Sequence, residues 1–235
     1  MGRIIKFQSI KFFDYKFKYL IIKLLKGGGY VVAPAASSLS DIKINYKYYF
    51  SLRNADIAIF DSGFFCILLR LFKNLKVKKL SGYLFLKSLL EYSYIKNKKF
   101  FLIDPSSKEN KKNFNLLRSK GIIWQKSYVS PIYNLSNFKD LKLINKINFY
   151  NPDIVIINLG GGIQEPLAHF IKQKSRKKNL IIICTGAAIS FLTNEQAPIS
   201  VFYDKYYLGW MVRLIHNPGN YFPRVIKSFK LFKFF

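Results

Sequence analysis

At 235 residues, half hydrophobic and 17% aromatic against 22% charged, the chain has the makeup of a packed globular protein and excludes a disordered one. Its 39 Lys and Arg against 12 Asp and Glu leave a formal charge of +27, a field that attracts phosphates, anionic membrane surfaces or nucleic acid. Lysine outnumbers arginine, is spread along the whole chain and accompanies abundant Ile, Phe, Tyr and Asn, the set encoded by A/T-rich codons, so a nucleic-acid partner is not expected.

Lysines break up the N-terminal segment every few residues, which excludes the apolar core of a secretory signal. No stretch reaches the roughly 18–20 clean apolar residues of a membrane span, so a cytoplasmic location is expected. Gly27-Gly28-Gly29 reads as a flexible lead-in to a first strand at 30–33. A helix over 38–53 and a strand over 56–60 come next, then helices over 64–73 and 84–95. A strand at 99–103, a helix at 108–120 between Asp104-Pro105-Ser106 and Gly121, and a strand within 122–129 follow. The chain continues with a helix at 137–149, a strand at 153–158, a helix at 164–174 and a strand at 179–184. Short β-rich runs alternating with helical periods predict an α/β fold with a mostly parallel sheet flanked by helices. One domain is expected over 1–220, followed by a basic aromatic tail over 221–235. Cys66 and Cys184 sit alone in apolar runs and read as buried small hydrophobes, and His169 and His216 lack metal-ligand spacing.

Open parallel sheets bind ligands at the carboxyl ends of their strands, which selects the loops at 34–38, 61–63, 160–165 and 185–188. In the stretch NLGGGIQE, Gly160, Gly161 and Gly162 follow a strand and precede a helix. Such glycines either present main-chain N–H groups to a diphosphate or form a tight strand-to-helix turn. A dinucleotide fingerprint does not fit, because Glu165 stands where the third glycine belongs and no carboxylate follows Cys184-Thr185-Gly186. Asp61, at the end of IAIFDSG, suits a proton acceptor partly desolvated by Phe60, Phe64 and Phe65, or a helix cap.

Five stretches in order, NADIAIFDSGFF, KKLSGYLFLKSL, PDIVIINLGGGIQE, ICTGAAISFL and LGWMVRLIHNP, resemble the WecG/TagA/CpsF family of glycosyltransferases. The resemblance runs from about residue 31 to 224. It implies a Rossmann-like fold and an inverting transfer, independent of metal and other cofactors, from a UDP-sugar to a polyprenyl-diphosphate-linked acceptor. It makes Asp61 the base and Gln164 its partner in catalysis. It further assigns Ser37, Ser62, Gly82, Gly160, Gly161, Gly162, Glu165, Gly186, Arg213 and Arg224 to substrate binding. The sequence departs from the family pattern at Ala33-Pro34-Ala35, Ser62, Gly162-Ile163 and Gly209. The tail, YFPRVIKSFKLFKFF, as a helix sets Val225, Phe229, Phe232 and Phe235 opposite Lys227, Lys230 and Lys233. That pattern suits an anionic membrane surface at the inner face of the cytoplasmic membrane, or packing on the tail's own domain or on a second copy in a homo-oligomer. A non-catalytic basic α/β module for nucleotides or nucleic acid is the alternative reading.

Overall fold

The computed structural model describes residues 2–193, 211, 214, 215 and 217–235. Its eight strands are β1 (Arg3–Phe7), β2 (Ile10–Asp14), β3 (Gly29–Val32), β4 (Ile57–Ala58), β5 (Phe100–Asp104), β6 (Gln125–Val129), β7 (Ile154–Ile157) and β8 (Ile181–Cys184). They form one sheet in the order β1-β2-β4-β3-β8-β7-β5-β6, parallel throughout except for the edge pair β1–β2. Its central strands read as unbroken apolar runs because helices cover both faces.

One face is covered by α2 (Ala36–Leu39), α3 (Tyr46–Arg53), α4 (Gly63–Lys73), α7 (Leu141–Tyr150) and α8 (Gln164–Lys174), packed on Tyr30, Val32, Val155, Ile157 and Ile182. The other is covered by α1 (Phe17–Gly27), α5 (Gly82–Glu91), α6 (Ser107–Ser119) and α9 (Ala188–Leu192), packed on Val31, Leu102, Ile156 and Ile183. Chain segments therefore leave β3 and β7 towards one face and the strand between them, β8, towards the other. Such a reversal is where open α/β sheets form their ligand crevice, at the carboxyl ends of the strands.

Local chemistry sets most helix starts. Asn45, Ser62, Ser81, Ser106 and Asp140 each accept a main-chain N–H of the first turn that follows them. The helix predicted over 38–53 is two, because the chain turns between Ser40 and Asn45 before Asn45 caps α3. The first 28 residues, left without elements in the sequence, form a hairpin and a helix. The hairpin turns on Gln8 and Ser9, both at positive φ, without the Asn-Gly signal that usually marks such turns. Gly27-Gly28-Gly29 is no flexible lead-in. Gly28 (φ 68°) closes α1 by donating to the Leu24 carbonyl, and Gly29 donates to the Leu180 carbonyl as it opens β3.

The tail forms α10 (Pro218–Phe229) and a 3₁₀ turn (Lys230–Phe234) folded back on the domain. Leu231 and Phe234 are buried, Phe234 and Phe235 meet Phe7, and Phe229 and Phe232 meet Phe64. Lys227 pairs with Asp41, just beyond α2. Three residues of the side selected by the helical period, Phe229, Phe232 and Phe235, thus meet the domain, and the 3₁₀ turn after Phe229 adds Leu231 and Phe234 to them. Cys66 and Cys184 are free and buried, and burial pushes the Cys66 thiol up to about 12.

Candidate active site

The crevice is bounded by the segments that follow β4, β3, β8 and β7, in that spatial order. Asp61 follows β4. Its Oδ1 accepts the Gly82 N–H at 2.8 Å, so the carboxylate holds the N-terminus of α5 and not that of its own helix. Ser62 caps α4 instead, accepting from Phe65 N–H at 3.3 Å. The cap reading of Asp61 therefore moves to its neighbour, and the hydroxyl assigned to substrate is the cap.

Gly82 also has a different role from the one expected. A Cβ there would lie 3.1 Å from the Thr185 Cβ and 3.2 Å from the Ala33 Cβ. The glycine admits close approach of α5 to β3 and β8; it does not offer space to a ligand.

At the glycine loop the picture divides. Gly160 and Gly161 are exposed, and no Cβ contact closes on Gly160. Gly162 (φ 93°) donates its N–H to Glu165 Oε2 at 2.7 Å, so that one of the three glycine N–H groups is used within the protein. Glu165 is buried, and burial raises its carboxyl to about 7 against the lowering effect of the Gly162 bond. Gln164 is buried as well. Its Oε1 accepts Gly186 N–H at 2.9 Å and its Nε2 donates to Glu165 Oε1 at 3.1 Å. Gln164, assigned to catalysis, and Glu165 and Gly186, assigned to substrate binding, tie the loop after β7 to the loop after β8. Gly186 (φ 62°) occupies the left-handed region that this turn requires.

Across from the loop, Ser38 lies closest: its Oγ is 3.2 Å from where a Gly161 Cβ would stand. Ser37, assigned to substrate binding, precedes it on α2 and makes no such approach to Gly161; its carbonyl accepts the Ser40 hydroxyl at 2.8 Å. The Tyr48 hydroxyl on α3 is buried beside Ser38; burial raises its pKa first and the Glu165 carboxylate next, while Ser38 opposes the rise. Arg224 is exposed on α10 with its guanidinium 5.2 Å from the Tyr221 ring centre, one turn before Lys227. Arg213 lies outside the described residues.

Sequence reasoning missed Asp104. It is fully buried at the end of β5, accepting from Asn158 and Asn113 on Oδ1 (2.6 and 2.7 Å) and from Asn110 on Oδ2 (2.6 Å). Burial raises its pKa and the three amides oppose that rise. Asn158 is thereby fixed as the chain enters the glycine loop. The signal was present in Asp104 and the Asn158 that follows β7, but their pairing depends on strand register. Among the described residues, no group of three His, Cys, Asp or Glu side chains is placed to hold a metal ion.

Between Asp61 and the loop lie three strand spacings, about 14 Å. The side-chain reach of Asp61, two hydrogen bonds of about 3 Å and an in-line displacement between them fill a span of that order. A family model described as the glycosyl transferase WecG/TagA/CpsF family matches residues 9–235, which takes in β2 and the tail but not β1. No individually curated protein matches the chain.

Proposed function

The chain belongs to the WecG/TagA/CpsF glycosyltransferase family, and on that footing we propose that it moves one sugar from a UDP-sugar to a polyprenyl-diphosphate-linked acceptor, with inversion. The donated sugar would be an N-acetylhexosamine, its uronic acid or a hexose, in surface polysaccharide synthesis. The observation that carries this reading is the placement of Asp61 after β4 and of the exposed Gly160–Gly161 main chain after β7, both at the carboxyl edge of one sheet.

Departure of UDP builds negative charge on the β-phosphate. Main-chain N–H groups at Gly160 and Gly161, the positive end of α8 and the basic side chain of Arg224 oppose that charge without a metal. Asp61, oriented by Gly82, takes the proton of the acceptor hydroxyl as it attacks the anomeric carbon. Gln164 acts as a positioning residue through Gly186 and Glu165. If this is the chemistry, UDP at a hundred times its dissociation constant adds about 2.7 kcal/mol of stability, a rise of several degrees in Tm for a chain of this length. GDP, TDP and CMP raise it less. No shift with UDP, together with salt-dependent binding of random oligonucleotides, would leave the alternative of a non-catalytic basic nucleotide- or nucleic-acid-binding module.

We place the enzyme at the inner membrane face, where a polyprenyl-linked acceptor resides. No helix among the described residues is long and apolar enough to cross a membrane. Even with Leu231 and Phe234 packed inward, α10 leaves Phe222 (58%) and Ile226 (50%) exposed among lysines. Replacing both with Ser should cut binding to anionic vesicles several-fold in a sedimentation assay and leave Tm unchanged. Equal binding by the variant would remove the tail from the membrane contact. Truncating the tail is the poorer test, because it also removes two core side chains.

A further inference from the structure

We infer that Glu165 gates the anion site of the glycine loop by taking up a proton when the nucleotide diphosphate binds. The inference rests on the proposed placement of the diphosphate at Gly160 and Gly161, next to Gly162. The Glu165 carboxylate occupies, from inside the protein, a donor that a phosphate would use: Oε2 holds the Gly162 N–H at 2.7 Å. Its other oxygen, held by the Gln164 amide, is 4.0 Å from the Gly161 Cβ position. A buried negative charge therefore sits directly beneath the place where two further negative charges would arrive.

No cation offsets it among the described residues. The groups that face Glu165 come from four directions: Tyr30 on β3, Tyr48 on α3, Cys184 on β8 and Ser38 on α2. Both tyrosines and the thiol are shifted upward, chiefly by burial, and are neutral across the physiological range. Along α8 itself, His169 is lowered by burial and by Lys172, so it too is neutral near pH 7, while Lys172 is paired with Asp56.

Protonation at Oε2, by a proton from water, breaks its bond with Gly162. The Gly162 N–H becomes available to the ligand, Oε2 changes from acceptor to donor, and the repulsion beneath the diphosphate disappears. Release of UDP returns the proton. The sign follows from a free-state carboxyl near 7: below that value Glu165 is already neutral and affinity is flat, and above it each pH unit weakens binding about tenfold.

Titration calorimetry of UDP into the full chain at pH 8, in Tris and in HEPES, reads the proton directly, since UDP's own phosphate, with a pKa near 6, is already ionised there. Expected are close to one proton taken up per UDP bound and a dissociation constant about tenfold weaker at pH 9 than at pH 8. Glu165→Gln should show no uptake, no pH dependence, and binding about tenfold tighter than the parent at pH 8, a gain that structural damage would not produce. UDP binding to the parent with no proton uptake and a flat pH profile overturns the gate and leaves the proposed function standing. Failure of UDP to bind at all overturns both.

Discussion

Asp61→Asn should reduce sugar transfer about 10²–10⁴-fold, the usual loss on removing a general base, while the fold is retained. Asparagine keeps the Oδ1 acceptor that holds Gly82 N–H, so the α5 terminus and its packing on Thr185 and Ala33 have no reason to move. What disappears is the ability to accept a proton. UDP binding should survive, because the phosphate contacts lie three strands away at Gly160 and Gly161. The measurement is kcat for transfer from whichever UDP-sugar stabilises the protein, with the UDP-induced Tm rise recorded on the same variant. Full activity would refute the role of Asp61. Lost activity together with lost UDP stabilisation would place Asp61 in binding, not in proton transfer.

Gly28→Ala should cost about 3 kcal/mol of stability or more. Its backbone (φ 68°, ψ −159°) lies in a region open essentially to glycine, where a side chain costs on the order of 1–3 kcal/mol. A Cβ would also fall 2.5 Å from the Asn179 carbonyl carbon, a main-chain atom that cannot swing aside. The clash sits where α1 ends, β3 begins and the approach to β8 crosses beneath, so relief requires moving two central strands. Gly27→Ala, one residue earlier, is the control. Nothing lies within 4 Å of its Cβ position and it belongs to α1, so its change should stay within about 1 kcal/mol, on the stabilising side. Urea titration should show the midpoint fall for Gly28→Ala with an unchanged slope. Equal midpoints for the two variants would show that the α1–β3 junction tolerates a side chain.

Much of the architecture was legible because its determinants are local. The apolar runs 153–158 and 179–184 marked β7 and β8 through composition, and Gln164–Lys174 was read to the residue from its helical period. The cap at Ser106 acts over three residues and was read from Asp104-Pro105-Ser106, whereas those at Ser81 and Asp140 were not, so the helices expected from 84 and 137 begin at 82 and 141. The N-terminal hairpin escaped because Gln8 and Ser9 carry none of the usual turn chemistry. The order of five motifs supplied the family, which the match over residues 9–235 bears out.

By itself, then, the sequence determined the alternation of strands and helices, the loops that end up at the carboxyl edge, and the two places, Asp61 and Gly160–Gly162, to which the proposed chemistry is assigned. The tertiary structure alone decided how each polar group is used. Whether Gly82 is open or filled depends on Thr185 and Ala33, some fifty to a hundred residues distant, and Asp104 meets Asn158 only through the β5–β7 register. Hydrogen-bond donors and acceptors are satisfied by whatever packing brings within about 3 Å, and that proximity is a property of the folded sheet, not of the order of residues along the chain.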